Sequence, residues 1–176
     1  MLDNPPLTYA RPGVTAPAEE DWEADLPGYR RFGLTVPLGH GEALWRRVRV
    51  EVLNWEIKQR SGFRVSAADS SGSAVAREGG RYRIVARIGP LRIIEPAVVV
   101  AVVDTPDRCG FAYGTLAGHP VSGEEAFIVH RDPEGVVHLT LRSITTAAPH
   151  GVWRRVFPAL LLAQRWYRRR YLRALR

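Results

Sequence analysis

A histidine in the connection between two predicted strands lies close in sequence to two glutamates at the start of the second strand. His119 precedes Glu124 by five residues and Glu125 by six, and a histidine beside a carboxylate is the smallest pair that can act as general acid and general base. The structural alternative is that, in a tight hairpin, His119 and Glu124 only bond the backbone of the loop. Both interpretations of this pair stay open.

Polar side chains on neighbouring strands form a second candidate group. Side chains alternate along a strand, so Tyr113 and Thr115 share a face where their hydroxyls can project into an otherwise apolar pocket. A buried glutamate on the next strand needs a partner, for which Arg142 is the nearest candidate. The residues expected to contact a ligand are Tyr113, Thr115, His119, Glu124, Glu125 and Phe127. Core packing is the alternative role for this set.

Metal and nucleophile chemistry find less support. One histidine with two adjacent carboxylates that point to opposite faces of a strand does not supply the converging ligands that zinc or iron needs. Cys109 is the only thiol, and its place at a strand start is typical of an incidental cysteine. No Gly-x-Ser-x-Gly elbow occurs, and the glycines of Gly110–Leu116 lie within a strand, which argues against phosphate binding. No metal or cofactor is expected.

Length and composition predict one globular domain. The 176 residues are 45% hydrophobic and 24% charged, close to globular averages. A single cysteine precludes an internal disulfide and favours a reducing, cytoplasmic setting. The N-terminal residues lack the basic and apolar regions of a signal peptide. The longest apolar stretch, Pro96–Val103, is less than half the roughly 20 residues of a membrane helix, so no membrane span is expected.

Charge is distributed unevenly along the chain. The net charge is +7, and Lys58 is the only lysine among 25 basic residues, a bias that indicates composition more than phosphate binding. Residues 1–28 carry six acids, and residues 154–176 carry eight arginines and no acid. The two ends can pair within one molecule, so a nucleic-acid partner is not favoured. Docking of the arginine-rich helix on an acidic partner remains an alternative.

Periodicity predicts the elements that hold these residues. Residues 1–28 are proline-rich, acidic and aperiodic, which indicates an extended lead-in packed on a body of residues 29–176. A strand at Tyr29–Val36 and a helix at Glu42–Arg60 follow. Further strands are expected at Arg81–Ile88, Leu91–Asp104, Gly110–Ala117, Glu124–Arg131 and Val136–Ile144. Short connections such as the turn at Gly89-Pro90 favour an antiparallel meander.

A long amphipathic helix is expected at about Val152–Leu175, with its aromatic side chains toward the sheet and its arginines toward solvent. Pro158 either kinks this helix or marks its start. Within the sheet, Pro96 predicts an edge strand or a bulge. These elements predict an α+β domain in which a curved antiparallel sheet wraps around the long C-terminal helix and leaves a cavity.

Several blocks of the sequence resemble a known family. They are Tyr9–Thr15, Leu26–Tyr29, Arg108–His119, Gly123–Glu125 and Arg170–Leu175. The most specific is Gly-Phe-x-Tyr-Gly-Thr-Leu-x-Gly-His at Gly110–His119. On these residues the chain resembles, nearly end to end, domain of unknown function family 1990 (DUF1990, of the UPF0548 type). That family is similar to the START and birch-pollen-allergen superfamily. The resemblance implies a helix-grip fold, in which a curved sheet grips a C-terminal helix around an apolar cavity.

The resemblance implies a fold and a pocket rather than a reaction, because the superfamily holds lipid carriers, hormone receptors, cyclases and hydroxylase subunits. The leading hypothesis is a protein that binds a small apolar or amphipathic ligand between the sheet and the last helix. One alternative is an enzyme that uses His119 with Glu124 or Glu125 in that cavity. The other is an interaction module with an arginine-rich helix. The ligand and the oligomeric state stay open.

Overall fold

The structure is a computed structural model that describes residues 5–24, 26–68, 74–88 and 91–176. Its strands are β1 (Arg30–His40), β2 (Phe63–Ala67), β3 (Arg81–Ile88), β4 (Leu91–Asp104), β5 (Arg108–Thr115), β6 (Val121–Arg131) and β7 (Val136–Ala147). Its helices are α1 (Glu42–Leu53), α2 (Glu56–Arg60), α3 (Val152–Arg155) and α4 (Phe157–Tyr171). Residues 1–4 and 25 of the predicted lead-in, and the predicted turn at 89–90, lie outside the described residues.

The described strands form one antiparallel sheet in the order β1-β7-β6-β5-β4-β3-β2. From β2 to β7 each strand pairs with the next one in sequence, as expected where hairpin connections are short. β1 instead pairs with β7, so the chain crosses from one edge of the sheet to the other through α1 and α2. The predicted α+β class and antiparallel sheet are confirmed.

The predicted helix Glu42–Arg60 is two helices. α1 ends at Leu53 and α2 begins at Glu56, because Trp55 adopts a left-handed backbone conformation with φ of 61°. Its indole is fully buried and packs on Tyr82 and Phe111, with ring centroids 4.9 Å and 4.4 Å away. Burial of so large an aromatic side chain offsets the cost of the strained backbone, which is about 1–3 kcal/mol.

The prediction of an edge position or a bulge at Pro96 is wrong. β4 lies between β3 and β5, and Pro96 pairs with Arg83, while the register shift in β4 occurs later, between Val99 and Ala101. The Pro96 carbonyl accepts a hydrogen bond from Leu116 N at 3.0 Å. The N and the C=O of one strand residue point to the same side of the strand. Proline has no N–H, and on Pro96 this missing donor therefore faces the position just beyond the end of β5 at Thr115.

The C-terminal helix begins later than predicted. The pattern at Val152–Leu175 is divided into α3 and α4, and Pro158 lies in the first turn of α4, where an N–H has no intrahelical partner. Pro158 therefore marks the start of the long helix, one of its two predicted roles. Tyr171 in the last turn of α4 is buried and meets the ring of Phe127 edge to face at a centroid distance of 5.4 Å.

The main core lies between the sheet and the helices. Its buried side chains include Trp45, Val48 and Val52 of α1, Trp55, Phe111, Phe127, Leu139, Leu141 and Tyr171. A smaller cluster of Ala112, Ala126 and Ile128 comes from alternate positions of the same strands and therefore lies on the opposite face. Each large apolar side chain in this core contributes about 1.5–3 kcal/mol, which fixes the register of the strands that carry the polar residues.

The lead-in packs against the ends of β5 and β6. Leu7 forms an isolated bridge with Leu116, and Thr8 N donates to Thr115 O at 3.0 Å. Tyr9 is buried where the lead-in crosses Gly114. A Cβ on Gly114 would lie 2.3 Å from Tyr9 Oη and 2.7 Å from Leu7 Cδ2. Glycine is therefore required here by close approach of the lead-in.

Replacement Gly114→Ala is expected to displace the lead-in, because its Cβ has no room beneath Tyr9. We expect the free energy of unfolding to fall by about 1–3 kcal/mol and amide exchange to accelerate first in residues 5–24. Denaturant unfolding and hydrogen exchange followed by mass spectrometry check both effects. Lead-in protection equal to that of the unmodified protein would contradict the assigned contact.

Candidate functional site

A cavity of about 110 Å³ lies between the inner face of the sheet and α4. Most of its wall is apolar carbon, supplied by Phe63, Ile93, Leu160, Ala163, Tyr167 and Tyr171. The α4 residues of this wall are half-buried except for Tyr171, so the cavity reaches toward the surface along the helix. The polar residues of the wall come from α2, from the strands and from α4, and they fall into separate groups.

The single lysine of the chain forms the centre of the first polar group. Lys58, on α2, is only 4% exposed. Its Nζ donates to Tyr171 Oη at 2.9 Å and lies 3.3 Å from Glu125 Oε2 and 3.7 Å from Glu95 Oε2. Three oxygens therefore take the place of the water that a buried ammonium loses.

Aromatic rings complete the surroundings of this ammonium. Lys58 Nζ lies 4.5 Å from the ring centroid of Phe63, 4.9 Å from that of Tyr171 and 5.2 Å from that of Tyr113, all within cation–π range. The Tyr113 hydroxyl donates to Glu125 Oε2, since these residues are direct partners across β5 and β6. We call Lys58, Glu95, Tyr113, Glu125 and Tyr171 the lysine cluster.

Burial and charge act in opposite directions on the lysine cluster. Burial alone lowers the pKa of Lys58, but the electronegative oxygens of Tyr113, Tyr171, Glu125 and Glu95 outweigh it and hold that pKa well above the ordinary value. Burial raises the pKa of the Tyr113 and Tyr171 phenols and of the Glu95 carboxyl, against the attraction of the Lys58 charge. At neutral pH the lysine is therefore an ammonium and both phenols are neutral.

His119 borders the cavity but is held by its own loop. Its Nδ1 lies 3.1 Å from Val121 N and 3.0 Å from Val121 O. Burial, together with the charge of Lys58, lowers the pKa of His119 to about 3. Among the described residues it makes no hydrogen bond to either glutamate. A neutral ring bonded to loop backbone corresponds to the structural alternative for His119.

Glu124 holds the lead-in. Its carboxylate accepts hydrogen bonds from Tyr9 Oη at 2.5 Å, from Gly13 N and Thr15 N at 2.8 Å each, and from Thr15 Oγ1. Side chains alternate along β6, so Glu124 and Glu125 serve opposite faces of the sheet. The structure therefore brings Glu125, and not Glu124, to the lysine cluster.

The prediction that Arg142 pairs with a buried glutamate is wrong. Arg142 pairs with Ala126 across β6 and β7 and donates to lead-in carbonyls, those of Ala16 at 2.6 Å, Glu19 at 2.9 Å and Glu20 at 2.7 Å. Backbone carbonyls of the lead-in converge on the guanidinium where a carboxylate was expected. Arg142 is therefore a second anchor of the lead-in.

The remaining predicted site residues serve the framework around the cavity. Thr115 borders the cavity, and its hydroxyl accepts from Gly123 N at 2.9 Å and contacts Thr8 Oγ1 at 2.5 Å. Phe127 lies in the core, 1% exposed.

Cys109 is buried, which raises the pKa of its thiol to about 12, so it carries no thiolate at neutral pH.

A second polar group lies on α4. Arg168 Nη2 donates to Ser143 Oγ at 2.9 Å, and its guanidinium carbon lies 4.0 Å from the ring centroid of Phe32. Gln164, one helical turn earlier, also lines the cavity. Within the described part of the chain, Arg168 Nε and Gln164 Oε1 are buried without a hydrogen-bond partner. Two polar atoms in the cavity wall are thus left unsatisfied.

The predicted orientation of the C-terminal helix is wrong at two residues. The prediction puts Arg168 in solvent, but Arg168 faces the cavity. It puts Trp166 against the sheet, but Trp166 is 52% exposed, and its ring centroid lies 4.7 Å from the guanidinium carbon of Arg170. The predicted pairing of the two ends is also not observed. Across the described ranges, no ion pair joins an acid of residues 5–24 to an arginine of residues 154–176.

Sequence reasoning missed Lys58, Glu95, Tyr171 and Arg168 as residues of the cavity. One signal was present, since Lys58 is the only lysine among 25 basic residues and a lone lysine in so arginine-rich a chain is a candidate for a specific role. In the part of the chain that the structure describes, no group of three or more His, Cys, Asp or Glu side chains is placed to hold a metal ion. None of the described helices combines the length and apolarity needed to cross a bilayer.

Replacement Lys58→Met is expected to destabilise the protein, because Glu95 and Glu125 lose their counter-charge while they remain buried. The expected loss is about 3 kcal/mol at neutral pH. A carboxyl whose pKa is raised in the folded state contributes stability at low pH that is lost as pH rises. The deficit should therefore be larger at about pH 7 than at about pH 5, as urea unfolding at the two pH values would measure.

The double replacement Lys58→Met, Glu125→Gln is the matched control. It removes one of the two uncompensated carboxylates and should recover part of the stability at neutral pH. A deficit that does not change with pH, or that the second replacement does not reduce, would show that lost packing rather than charge explains the effect.

Comparisons with known proteins place the chain in a family. A family model described as "Domain of unknown function (DUF1990)" matches residues 8–174. A "UPF0548 protein" of Deinococcus radiodurans is 35% identical over 170 residues, which cover 90% of this chain and 84% of that protein. The crystal structure of hypothetical protein jhp0584 from Helicobacter pylori aligns with a TM-score of 0.61 and 10% identity, covering 85% of this chain and 89% of that one. This last likeness shows the fold alone. The chain is a member of the DUF1990 family.

Proposed function

We propose that this protein binds a small amphipathic ligand in the cavity between the sheet and α4. The observation that carries the proposal is the combination of an apolar wall with the buried lysine cluster at one side of the same cavity. Protein interiors are close-packed, and ligand sites combine apolar walls with a few well-placed polar groups. An amphipathic ligand fills the space and meets both kinds of surface.

The size of the cavity limits the ligand. Its volume of about 110 Å³ is somewhat below the ~150 Å³ of an engineered apolar cavity that admits benzene. The part of the ligand that enters is therefore about as large as one aromatic ring or a short branched chain. Its apolar body would contact Phe63, Ile93 and Leu160, and its polar end would meet the polar residues of the wall, which are the lysine cluster and the adjoining Gln164 and Arg168.

The architecture supports this proposal. In the sheet, β1 and β2 occupy opposite edges, and α4 carries Tyr167 onto Phe63 at a centroid distance of 4.6 Å. We assign this arrangement to the helix-grip type of the START and birch-pollen-allergen superfamily, in which the space between the sheet and the last helix holds apolar ligands. His119 and Thr115 border the cavity directly. Glu124 and Phe127 support it, because Glu124 holds the lead-in and Phe127 packs in the core.

The test is ligand capture by native mass spectrometry of the protein purified from its own host, followed by denaturing extraction. Ala163→Trp is expected to abolish the bound species, because the indole projects from α4 into the cavity. Ala159→Trp is the matched control, since Ala159 lies one turn earlier on the same helix and is exposed. Both variants should remain folded by circular dichroism.

Two outcomes would contradict the proposal. One is a species that survives Ala163→Trp unchanged, because it would bind elsewhere. The other is a ligand-free mass from repeated preparations together with no thermal shift when apolar compounds of single-ring size are added. Retention of the species in Ala159→Trp and its loss in Ala163→Trp locate it in the cavity.

A proton-transfer enzyme is the second candidate, and the hydrogen bond from Tyr113 to Glu125 favours it. Both residues line the cavity, and the Lys58 ammonium lies 3.3 Å from Glu125 Oε2. A phenol that donates to a carboxylate beside an ammonium can pass a proton to or from a bound molecule. The pair His119 and Glu124 is less suited, since a pKa lowered to about 3 makes the ring a weak base and the carboxylate holds the lead-in.

Solvent deuterium exchange tests this candidate for any reaction that begins with proton transfer at carbon. If the cavity transfers protons to carbon, the extracted ligand incubated with protein in D₂O gains deuterium, and Tyr113→Phe should reduce the rate by about 10²-fold or more. Mass spectrometry of the ligand measures the exchange. Equal exchange with and without protein would leave ligand binding as the function.

A further inference from the structure

Arg168 is a cation of the cavity wall that forms no ion pair with a carboxylate of the described residues. Arg168 extends from α4, and its side-chain contacts in the described residues are neutral, with Ser143 Oγ as the hydrogen-bond acceptor and the Phe32 ring beneath the guanidinium. Its Nε is buried and unpartnered. Lys58 differs, because Glu95 and Glu125 both lie within 4 Å of its ammonium. Within the described residues, Arg168 is therefore the cation of the wall that no carboxylate contacts directly.

A buried N–H of a guanidinium is expensive to leave unbonded, because the full desolvation cost remains. Gln164 Oε1 is in the same condition on the same face of α4. A donor and an acceptor that both lack partners in the wall of one cavity are the groups that a bound molecule would satisfy. Ser143, Arg168 and Gln164 together form a polar surface that adjoins the lysine cluster, because Ser143 pairs directly with Glu125 across β6 and β7.

We propose that the ligand of this cavity is an organic monocarboxylate whose carboxylate accepts hydrogen bonds from Arg168. This inference rests on the proposed function. The apolar body of the acid occupies the space beside Leu160, Ala163 and Tyr167, and a hydroxyl or amide on the acid can donate to Gln164 Oε1. The planar guanidinium suits a carboxylate because its N–H groups match two oxygens.

Contacts in the wall favour a monoanion over a dianion or a cation. Arg168 forms no ion pair within the described residues, so one carboxylate can bond its guanidinium, whereas a phosphate dianion would bring a second charge toward Glu125, whose charge already acts on Arg168. A cationic ligand would meet Arg168 and Lys58, and the nearby carboxylates of Glu95 and Glu125 both already face the ammonium. Burial lowers the pKa of Arg168 and the charge of Glu125 raises it, but an arginine stays protonated at neutral pH.

The experiment compares four probes that share one aromatic ring and differ in head group. Phenylacetate, phenethyl alcohol, phenethylamine and benzene are titrated into the purified protein, stripped of any copurified molecule, with chemical-shift changes as the readout. We expect phenylacetate to bind about tenfold or more tightly than phenethyl alcohol, since hydrogen bonds to a charged group add to the burial of the ring. The preference should be retained at moderate salt, because the site is buried.

Two arginine variants assign the preference. Arg168→Met keeps much of the apolar stem and removes the charge, so phenylacetate and phenethyl alcohol should then bind within about twofold of one another. Arg165→Met, at an exposed arginine one turn earlier, should leave the preference unchanged. If Arg168→Met does not fold, Arg168→Lys keeps a charge without the guanidinium geometry and should weaken phenylacetate binding alone.

The outcomes separate this inference from the proposed function. A carboxylate preference that is lost in the Arg168 variant supports both. Benzene and the alcohol binding as tightly as phenylacetate overturns the carboxylate inference and leaves a neutral ligand, while tightest binding of phenethylamine overturns it in favour of a cation. If none of the probes, benzene included, binds at millimolar concentration, the cavity does not accept ligands of this size, and both proposals fail.

Discussion

The buried ammonium of Lys58 is the interaction on which the arrangement of this protein depends. An isolated charge in a protein interior costs many kcal/mol, so Lys58 can lie inside only where Glu95, Glu125 and the Tyr171 hydroxyl surround it. Those partners come from β4, β6 and α4, and the lysine comes from α2. One charge therefore joins four elements that are far apart in sequence, and the cavity opens between the elements that it joins.

The two faces of β6 carry carboxylates with different partners. Glu125 points to the lysine cluster, while its neighbour Glu124 points to the lead-in and accepts four hydrogen bonds from it. A slip of one residue in the register would exchange these faces and place each carboxylate among the wrong partners. Register is held by the apolar side chains that follow them along β6, such as Ala126 and Phe127, so core packing and site geometry are determined together.

Local sequence patterns predict the sheet well and the site poorly. Alternation and turn residues give the strands and the α+β class, because they depend on neighbours in sequence. The left-handed Trp55, the central position of Pro96 and the inward turn of Arg168 depend on packing against distant elements, which no local pattern records. The lysine cluster shows the limit most clearly, since its members are separated by up to 113 residues and a lone lysine gives no indication of where its carboxylates lie.

Helix α4 links the two polar groups of the cavity to the stability of the fold. Tyr171 is bonded to Lys58 and Arg168 to Ser143, so the side chains that dock the helix also line the cavity. Any molecule that binds there contacts α4 and the sheet at once. By linkage, a ligand that binds only the docked helix stabilises docking by an amount that grows with the ratio of ligand concentration to Kd. Under the proposed function, occupancy of the cavity would therefore stabilise the docked position of α4, and the half-buried wall of α4 is where a ligand would enter.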